Sequence, residues 1–387
     1  MRIARILTRL NLGGPARQVL ASDPRLVAAG HTLRVFVGQP GPGEGDLCEN
    51  LIAQGVDVVR VPGLRRGVSG WGDWRATRFM RRALSDFQPD VLHTHASKAG
   101  AIGRWAAKSV PQVRCVHTFH GHVLEGYFPG FLSRALVAHE RRLARRTQRI
   151  VAVSHATAED LLRLGVAEEQ QLVVVPPGVD LTPFENLDAH AGELRGRLGL
   201  DSDAFVVGVI GRLAAVKQPQ VALRVFELLA NRYPQLHLVY VGDGPERGGL
   251  ERAIRNLPGK CSERVHMLGA LNEMGPVLAG LDALLLTSRS EGLPVALIEA
   301  GAAGVPAVAA DVGGVGEVLA HERTGFLGEN VDELAYGLAQ LLDEPEERAN
   351  MGQRARMRVA ARYSAEALTQ RLEALYQTLL QENPCAC

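Results

Sequence analysis

Residues 288–300 read SRSEGLPVALIEA, and this stretch decides how the rest of the chain is interpreted. It follows an apolar run at 281–286 that is typical of a buried strand, and the residues after Pro294 are typical of a helix start. Glu291 then lies in the loop at the strand's carboxyl end, and Glu299 follows eight residues later in the helix. Ligands bind at that edge of open α/β sheets, and helix starts favour anions. The stretch predicts a ligand with phosphates and hydroxyls, unless it is a capped surface helix with solvated glutamates.

Apolar, strand-like runs alternate with amphipathic helices along the whole chain. This alternation predicts an α/β fold with mostly parallel, doubly wound sheets that carry helices on both faces. The predicted strands are Ile3–Thr8, Thr32–Val37, Val56–Val61, Asp90–His93, Gln112–Thr118, Ile150–Val153, Leu172–Val175, Phe205–Ile210, His237–Val241, Val265–Leu268, Ala283–Leu286, Pro306–Ala309 and Thr324–Leu327.

The length of 387 residues favours two domains. We expect an N-terminal domain at 1–180, a polar linker with a short helix at 181–203, and a second domain at 204–364. Residues 365–387 would form a helix that crosses back to the first domain, followed by a tail.

The net charge is +1, but the two halves differ in sign. Residues 1–180 carry 24 lysines and arginines against 15 acidic residues, and the remainder carries 19 against 27. The basic half could face an anionic substrate or an anionic membrane, or its arginines could form solvated helix faces. Few aromatic residues accompany the arginines, which disfavours nucleic acid.

The five cysteines show neither a CxxC pair nor metal-ligand spacing. The sequence starts with a strand rather than a leader pattern, and no apolar run approaches the length of a membrane helix. We therefore expect a cytoplasmic protein whose contact with the inner face of a membrane would be peripheral.

Two loops at strand ends offer groups that bind phosphate. Gly13 and Gly14 close the first strand, where paired glycines leave N–H groups free; an ordinary turn is the alternative, and the GxGxxG pattern is absent. Arg212 and Lys217 share the loop after the first strand of the second half. An arginine fork and a compact ammonium suit a diphosphate, unless both are simple surface cations. No aspartate-rich site accompanies them, so we predict no metal and expect these cations to neutralise a leaving diphosphate.

Histidines cluster at two neighbouring strand ends of the first half. His117, His120 and His122 suggest zinc, but alternate residues of a strand point to opposite faces and no fourth ligand is apparent. We expect His120 to contact a substrate. A packing or supporting role is expected for His93, His95 and His117.

Together these motifs resemble those of the family 4 retaining glycosyltransferases. That family has the GT-B fold, in which two Rossmann-like domains enclose a cleft and the last helix returns to the first domain. The matching elements span nearly the whole chain: Gly13-Gly14, Thr118-Phe119-His120-Gly121, VPPGVD at 175–180, Gly211-Arg212-Leu213 with Lys217, VGDGP at 241–245, and Glu291 and Glu299 in E-x7-E spacing. Each motif is modest alone, and the ordered set is specific.

The resemblance implies roles in binding a nucleotide sugar. Arg212 and Lys217 would hold its diphosphate, with Gly14 in the Gly13-Gly14 loop bringing an N–H group from the other domain. Glu299 would bind the ribose hydroxyls. Further contacts are implied for the amides of Val295 and Ala296, which would face a phosphate, and for Leu268 and Gly269, which would border the base, commonly uracil.

The resemblance also implies which residues face the transferred sugar. Glu291, with the backbone of Gly292 and Leu293, would hold the sugar hydroxyls, and His120 would sit beside the sugar and the acceptor. Many relatives have Phe-Gly around the position of Leu293 and Pro294. Since proline has no N–H group, one backbone contact to the sugar would be missing and the donor sugar stays open. The implied catalytic residues are His120, Arg212, Lys217 and Glu291.

The implied reaction moves a sugar from a nucleoside-diphosphate sugar to an acceptor hydroxyl, with retention at the anomeric carbon. No second carboxylate is positioned as a nucleophile, so the donor's own phosphate oxygen would take the acceptor proton. No cofactor is expected, the nucleotide sugar being a co-substrate, and the acceptor would be a glycan or a lipid-linked intermediate of cell-envelope or exopolysaccharide synthesis. The alternatives are a UDP-sugar epimerase or a phosphorylase on the same fold, or a non-catalytic nucleotide-sugar-binding subunit.

Overall fold

A computed structural model describes residues 1–11, 13–41, 45–121, 124, 130–190 and 192–382. The chain divides into two units, of which the first holds Met1–Gly178 with the residues from Ala365 onward and the second holds Val179–Ser364. The tail predicted at the C-terminus, 383–387, lies outside the described residues. Within the described ranges, no helix combines the length and the apolar character that crossing a membrane requires.

The first unit is built on a seven-stranded parallel sheet of order β3-β2-β1-β4-β5-β6-β7. Central strands such as β1 are buried along almost their whole length, because helices cover both faces of the sheet. The strands are β1 (Arg2–Leu7), β2 (Thr32–Val37), β3 (Asp57–Arg60), β4 (Val91–His95), β5 (Arg114–Phe119), β6 (Arg149–Ala152) and β7 (Leu172–Val174). The helices between them are α1 (Gly14–Ala28), α2 (Cys48–Ala53), α3 (Gly70–Phe87), α4 (Ser97–Ala106), α5 (Gly130–Ala144) and α6 (His155–Arg163).

Helix α1 begins four residues earlier than the predicted start at Gln18. Gly13 is its N-cap, and the carbonyl oxygen of Gly13 accepts the N–H groups of Ala16 and Arg17 at 3.1 and 3.2 Å. Pro15 favours this early start, since its fixed φ suits the first helical turn and its missing N–H is not needed there. Gly14 therefore belongs to the helix and not to a preceding loop.

The second unit carries a six-stranded parallel sheet of order β10-β9-β8-β11-β12-β13. The strands are β8 (Phe205–Ile210), β9 (Leu236–Val241), β10 (Val265–Gly269), β11 (Ala283–Leu286), β12 (Ala307–Ala310) and β13 (Gly325–Gly328). The helices are α7 (Glu193–Leu198), α8 (Pro219–Ala230), α9 (Arg247–Arg255), α10 (Gly275–Leu278), α11 (Val295–Ala302), α12 (Val315–Val318), α13 (Val331–Asp343) and α14 (Pro345–Arg362). The predicted alternation of strands and helices is confirmed in both units.

Residues 181–203, expected as a linker, pack within the second unit. They carry two short 3₁₀ helices besides α7. Arg195 of α7 donates to the Asp282 carboxylate at 2.6 Å and to the Ala204 carbonyl at 2.7 Å. Leu194 packs against Gly280, where a Cβ would lie 2.6 Å from the leucine. These contacts fasten the stretch to the strand starts of β8 and β11.

The last helix, α15 (Ala365–Gln381), completes the first unit by packing on α1. Its buried face, which includes Leu368, Leu372 and Tyr376, joins the same apolar cluster as strands β1 and β2. The predicted return of the last helix to the first domain is therefore confirmed.

Candidate functional site

The loops that follow β8 and β9 pack backbone against backbone. A Cβ on Gly242 would lie 1.9 Å from the carbonyl oxygen of Gly211, and one on Gly244 would lie 2.2 Å from that of Leu213. Gly242 and Gly244 also have φ values of 147° and 159°, which L side chains rarely adopt. Only glycine fits at both positions. This close backbone packing fixes the position of the loop that carries Arg212.

Lys217 and Glu291 form an ion pair at the carboxyl ends of β8 and β11. The Lys217 Nζ atom lies 2.5 Å from Glu291 Oε1, and the Ser288 hydroxyl donates to the same oxygen at 2.6 Å. The Glu291 side chain is 10% exposed and that of Lys217 is 33% exposed. The two residues are 74 positions apart and meet because β8 and β11 are neighbours in the sheet.

The backbone around Glu291 is fixed from two sides. The Arg289 N–H donates to the Val216 carbonyl at 2.8 Å, which ties the β11–α11 loop to the β8–α8 loop. Gly313 lies against the other side, where a Cβ would approach the Glu291 carbonyl oxygen to 2.0 Å at a φ of +53°. The carboxylate is therefore presented by a rigid loop rather than by a flexible one.

Arg212 lies at the same edge of the sheet with an exposed side chain. Together with Lys217 and Ser288 it lines a small depression at the carboxyl ends of β8 and β11. Within the described part of the chain, its guanidinium makes no hydrogen bond or ion pair. The cation is thus available to an incoming anion.

The start of α11 faces the same edge and supplies further donors. Pro294 is the N-cap, and its carbonyl oxygen accepts the N–H groups of Leu297 and Ile298. The N–H groups of Val295 and Ala296 precede the first intrahelical bond, as is usual at a helix start. Further along the helix, the Glu299 side chain is buried, and Gly292 and Leu293 are buried in the preceding loop.

Leu268 and Gly269 end the edge strand β10, which lies two strands from β8. Gly269 adopts a φ of +74°, and its carbonyl oxygen accepts the N–H of Gly242 at 2.8 Å. Leu268 lines a cavity of about 330 Å³ together with Asn272 and residues of α7 and α10. The structure thus puts Leu268 and Gly269 on the same carboxyl edge as Arg212, although on its outer side.

Three histidines of the first unit, His93, His95 and His120, form a stacked chain at the ends of β4 and β5. His120 Nε2 lies 2.8 Å from His95 Nδ1, and the two rings stack with centroids 5.1 Å apart. His95 stacks in turn on His93 at 4.3 Å. His93 Nε2 is hydrogen-bonded to the Thr118 hydroxyl at 2.6 Å. His93, His95 and His117 are fully buried and His120 is partly exposed, so only His120 offers an edge to solvent.

All four histidines are held in the neutral form. Burial lowers the pKa of His93, His95 and His117 well below the usual value. Burial of the His120 ring, aided by the positive charge of Arg5, also lowers the pKa of His120. At neutral pH, His120 is therefore a hydrogen-bonding group rather than a cation.

Several residues that build the site were not assigned a role from the sequence. Ser288 binds the Glu291 carboxylate and lies only three residues before it, so the loop spacing could have indicated the contact. Gly313 supports Glu291 from a distant loop and gave no signal. Tyr376 accepts a hydrogen bond from Arg5 at 3.1 Å and lies 2.5 Å from His93 Nδ1, a contact that only the packing of α15 reveals.

Some predicted features lie outside the described residues. Leu12 of the Gly13-Gly14 loop and His122 are among them. Gly13 and Gly14 lie at the start of α1, at the carboxyl end of β1. Among the described residues, no group of three or more histidines, cysteines or carboxylates is arranged to hold a metal ion.

Protein families that match this chain cover most of its length. Residues 191–358 match the family described as glycosyl transferases group 1, and residues 12–183 match glycosyltransferase family 4. The D-inositol 3-phosphate glycosyltransferase of Streptomyces scabiei is 32% identical over 365 residues, which cover 88% of this chain and 81% of that protein. The UDP-Gal:alpha-D-GlcNAc-diphosphoundecaprenol alpha-1,3-galactosyltransferase of Escherichia coli is 27% identical over 296 residues, or 74% and 76% of the two chains.

The fold is also found in solved structures. Anabaena HepE, in complex with UDP and glucose, gives a TM-score of 0.85 at 20% identity and covers 98% of this chain and 100% of that one. The predicted pair of Rossmann-like units is confirmed.

Proposed function

Because this chain belongs to the glycosyltransferases of group 1 and family 4, we propose that it transfers a sugar from a UDP-sugar to an acceptor hydroxyl with retention at the anomeric carbon. The observation that carries the proposal is the Lys217–Glu291 pair beside the exposed Arg212 at one edge of the second sheet. These groups have the charges that a diphosphate and a hydroxylated sugar require.

Donor binding would exchange partners within the ion pair. The diphosphate brings negative charge that attracts the Lys217 ammonium away from Glu291, and Arg212 adds a second cation. The carboxylate oxygens of Glu291 then become available to sugar hydroxyls, while Ser288 keeps one of them in place.

The remaining donor contacts are assigned by position at the same edge. Buried Glu299 would accept the ribose hydroxyls, because a carboxylate accepts hydrogen bonds from two adjacent OH groups. The other proposed donor-binding groups at this edge are the backbone of Gly292 and Leu293 for the sugar, the amides of Val295 and Ala296 for a phosphate, and Leu268 and Gly269 for the base. The amides of Gly13 and Gly14, which belong to the first unit, are proposed for the diphosphate on the resemblance to the family alone.

The chemistry depends on stabilising the leaving group. As the bond between the sugar and the diphosphate breaks, negative charge grows on the phosphate oxygens, and Arg212 and Lys217 stabilise it without the aid of a metal. The acceptor hydroxyl would attack from the face that the diphosphate leaves and pass its proton to a phosphate oxygen. This front-face route leads to retention.

We assign His120 to the transferred sugar and the acceptor. The hydrogen bond to His95 occupies Nε2 of His120 and fixes the plane of the ring. The remaining ring nitrogen can then exchange a hydrogen bond with a hydroxyl group. Since the lowered pKa keeps the ring neutral, His120 would position a hydroxyl rather than neutralise a phosphate.

For the acceptor, we propose a glycan or a polyprenyl-diphosphate-linked sugar of cell-envelope or exopolysaccharide synthesis. The Escherichia coli relative supports this class, because its name specifies an acceptor linked to diphosphoundecaprenol.

The proposal is tested by incubating a panel of nucleotide sugars with polyprenyl-diphosphate-linked sugars and measuring UDP release. We expect release that depends on the acceptor and continues in the presence of EDTA, with an α-linked product by NMR when the donor is α-linked. Turnover of the donor without an acceptor would indicate an epimerase, and donor binding without release across the panel would indicate a binding subunit. An inverted product would refute the front-face route.

A further inference from the structure

Helix α3 of the first unit presents an exposed apolar tip next to a row of arginines. The tip consists of Val68, Trp71 and Trp74, whose exposed fractions are 95%, 70% and 51%. Large apolar side chains seldom remain so open to water without a function when they lie together. The arginine row, which continues from the tip along the helix, consists of Arg75, Arg78, Arg81 and Arg82, and all four are exposed.

The tip and the arginine row share one face because of helical spacing. Their positions from 71 to 82 recur at intervals of three and four residues, which keeps them on one side of a helix. The opposite side carries Ala76, Met80 and Leu84, which are fully buried against the first sheet. The helix is therefore amphipathic, but its outer face is aromatic and basic rather than merely polar.

Hydrogen bonds and an ion pair fix the position of the tip. Ser69 caps the helix by accepting the N–H of Gly72 at 3.2 Å, and the Ser69 N–H donates to Asp73. Lys98 of α4 binds the Asp73 carboxylate at 2.6 Å. At the base of the loop, a Cβ on Gly63 would lie 2.4 Å from the Gly72 carbonyl oxygen. These contacts hold the two tryptophans in exposed positions.

The positive charge of the arginine row is not neutralised within the described residues. None of its four arginines forms an ion pair there, and Arg78 lies over the Trp74 ring at 5.7 Å. Asp73, two residues before Arg75, is already bound to Lys98. Asp86, four residues after Arg82, is exposed and forms no ion pair with the row among the described residues. The two indole rings stack on each other, with centroids 5.0 Å apart.

We propose that the tip and the arginine row form a docking surface for an anionic lipid membrane. Tryptophans and a valine suit the boundary between headgroups and acyl chains, and unpaired arginines beside them bind lipid phosphates. A single-stranded nucleic acid fits this surface less well, because it needs a groove and separated rings, whereas this is a convex helix with its indoles stacked together. The inference does not depend on the proposed transfer reaction, since it concerns a different surface.

Tryptophan fluorescence can test the inference directly, because two of the three tryptophans belong to the tip. With vesicles of equal parts phosphatidylglycerol and phosphatidylcholine, we expect the tryptophan emission to shift to the blue and the protein to sediment with the vesicles. Pure phosphatidylcholine vesicles are expected to do neither. Sedimentation is expected to weaken as salt is raised, since the arginine contacts are screened. Absence of the shift with anionic vesicles at low salt would overturn the inference.

Two variants separate the apolar and the electrostatic parts. Arg78→Ser with Arg81→Ser and Arg82→Ser should lower vesicle binding by about a hundredfold, given roughly a fivefold effect for each arginine near an anionic surface. Trp71→Ser with Trp74→Ser should lower it by about tenfold or more at constant charge.

The control replaces two exposed arginines of α9, Arg252→Ser with Arg255→Ser, so it removes two positive charges where the arginine variant removes three. It should change vesicle binding less than about twofold. All variants alter exposed side chains, so thermal unfolding and UDP binding should be unchanged. A lowered unfolding temperature would reveal a folding defect. Absence of UDP binding in every variant and in the parent protein would count against the donor-site proposal, not against this inference. A loss per removed charge in the α9 control that equals that of the arginine variant would mean that net charge alone drives binding, and it would overturn the inference. Preferential binding to an RNA oligonucleotide, or self-association that the tryptophan variant abolishes, would also overturn the inference.

Discussion

Replacing Glu291 with glutamine should strengthen UDP binding while it weakens sugar transfer. The Lys217 Nζ atom lies 2.5 Å from the Glu291 carboxylate, so a diphosphate must compete with this carboxylate for the ammonium. Glutamine keeps the size of the side chain and its contact with Ser288, but it removes the competing charge. The two effects have opposite signs because UDP lacks the sugar that Glu291 is proposed to hold.

The size of the effect follows from the exposure of the pair. Lys217 is 33% exposed, so solvent screens the attraction, and a pair of this kind contributes about 1 kcal/mol. Removing that competition should lower the dissociation constant for UDP by about fivefold. Loss of the carboxylate facing the sugar should lower the rate of transfer by about a hundredfold or more.

Calorimetric titration with UDP and an assay of UDP release measure the two quantities. Ser288→Ala is the matched control, because it leaves the ion pair in place and should change UDP affinity less than about twofold. Lys217→Ala should move UDP affinity in the opposite direction, by several kcal/mol where the contact is desolvated. If Glu291→Gln weakens UDP binding, the partner exchange described for the ion pair is wrong.

Three further predictions concern the supports of the site. The histidines held neutral in the first unit are His93, His95, His117 and His120. Because their pKa is lower in the folded than in the unfolded state, stability against urea should fall below about pH 6.5, by about 1.4 kcal/mol per pH unit for each. Burial raises the pKa of Asp23 to about 6, so protonation of this carboxyl stabilises the folded protein as the pH falls below 6. This gain offsets the loss of stability from about one histidine. A urea-unfolding midpoint that stays unchanged down to about pH 5 would contradict the prediction. Tyr376→Phe should cost about 1–3 kcal/mol in urea unfolding, since its buried arginine and histidine partners lose the hydroxyl, whereas Tyr336→Phe, at an exposed position, should cost nothing measurable. Gly313→Ala should lower transfer by displacing the glutamate of the ion pair, while Gly316→Ala, whose Cβ meets nothing closer than 3.7 Å, should leave transfer intact; equal rates for the two would contradict the steric argument.

Much of the fold could be predicted because its signals are local. The strands Phe205–Ile210 and Ala283–Leu286 have the predicted bounds, since each is an apolar run that ends at polar or glycine residues. The start of α1 differs from the prediction because Gly13 and Gly14 are typical of a loop, whereas Pro15 favours a helical first turn.

The contacts within the site could not be predicted, because they depend on which strands are neighbours. The sequence suggested Lys217 and Glu291 separately as ligand-binding residues, but not that they bind each other. That contact requires β8 to lie beside β11, with β9 and β10 on the other side of β8, and strand order leaves no local trace in the sequence. The exposure of Trp71 and Trp74 could not be predicted either, because a tryptophan in an amphipathic helix is usually expected to face the core.

The position of α15 has a consequence for how the protein is made. The ribosome synthesises this helix after the whole of the second unit, yet its leucines and Tyr376 fill the core of the first unit. A nascent chain that has reached Ser364 therefore still exposes an apolar groove on α1 and leaves the buried charge of Arg5 without its tyrosine. Residues 179–364 can reach their final packing first, whereas residues 1–178 must wait for α15. Chaperone demand during synthesis should thus concentrate on residues 1–178.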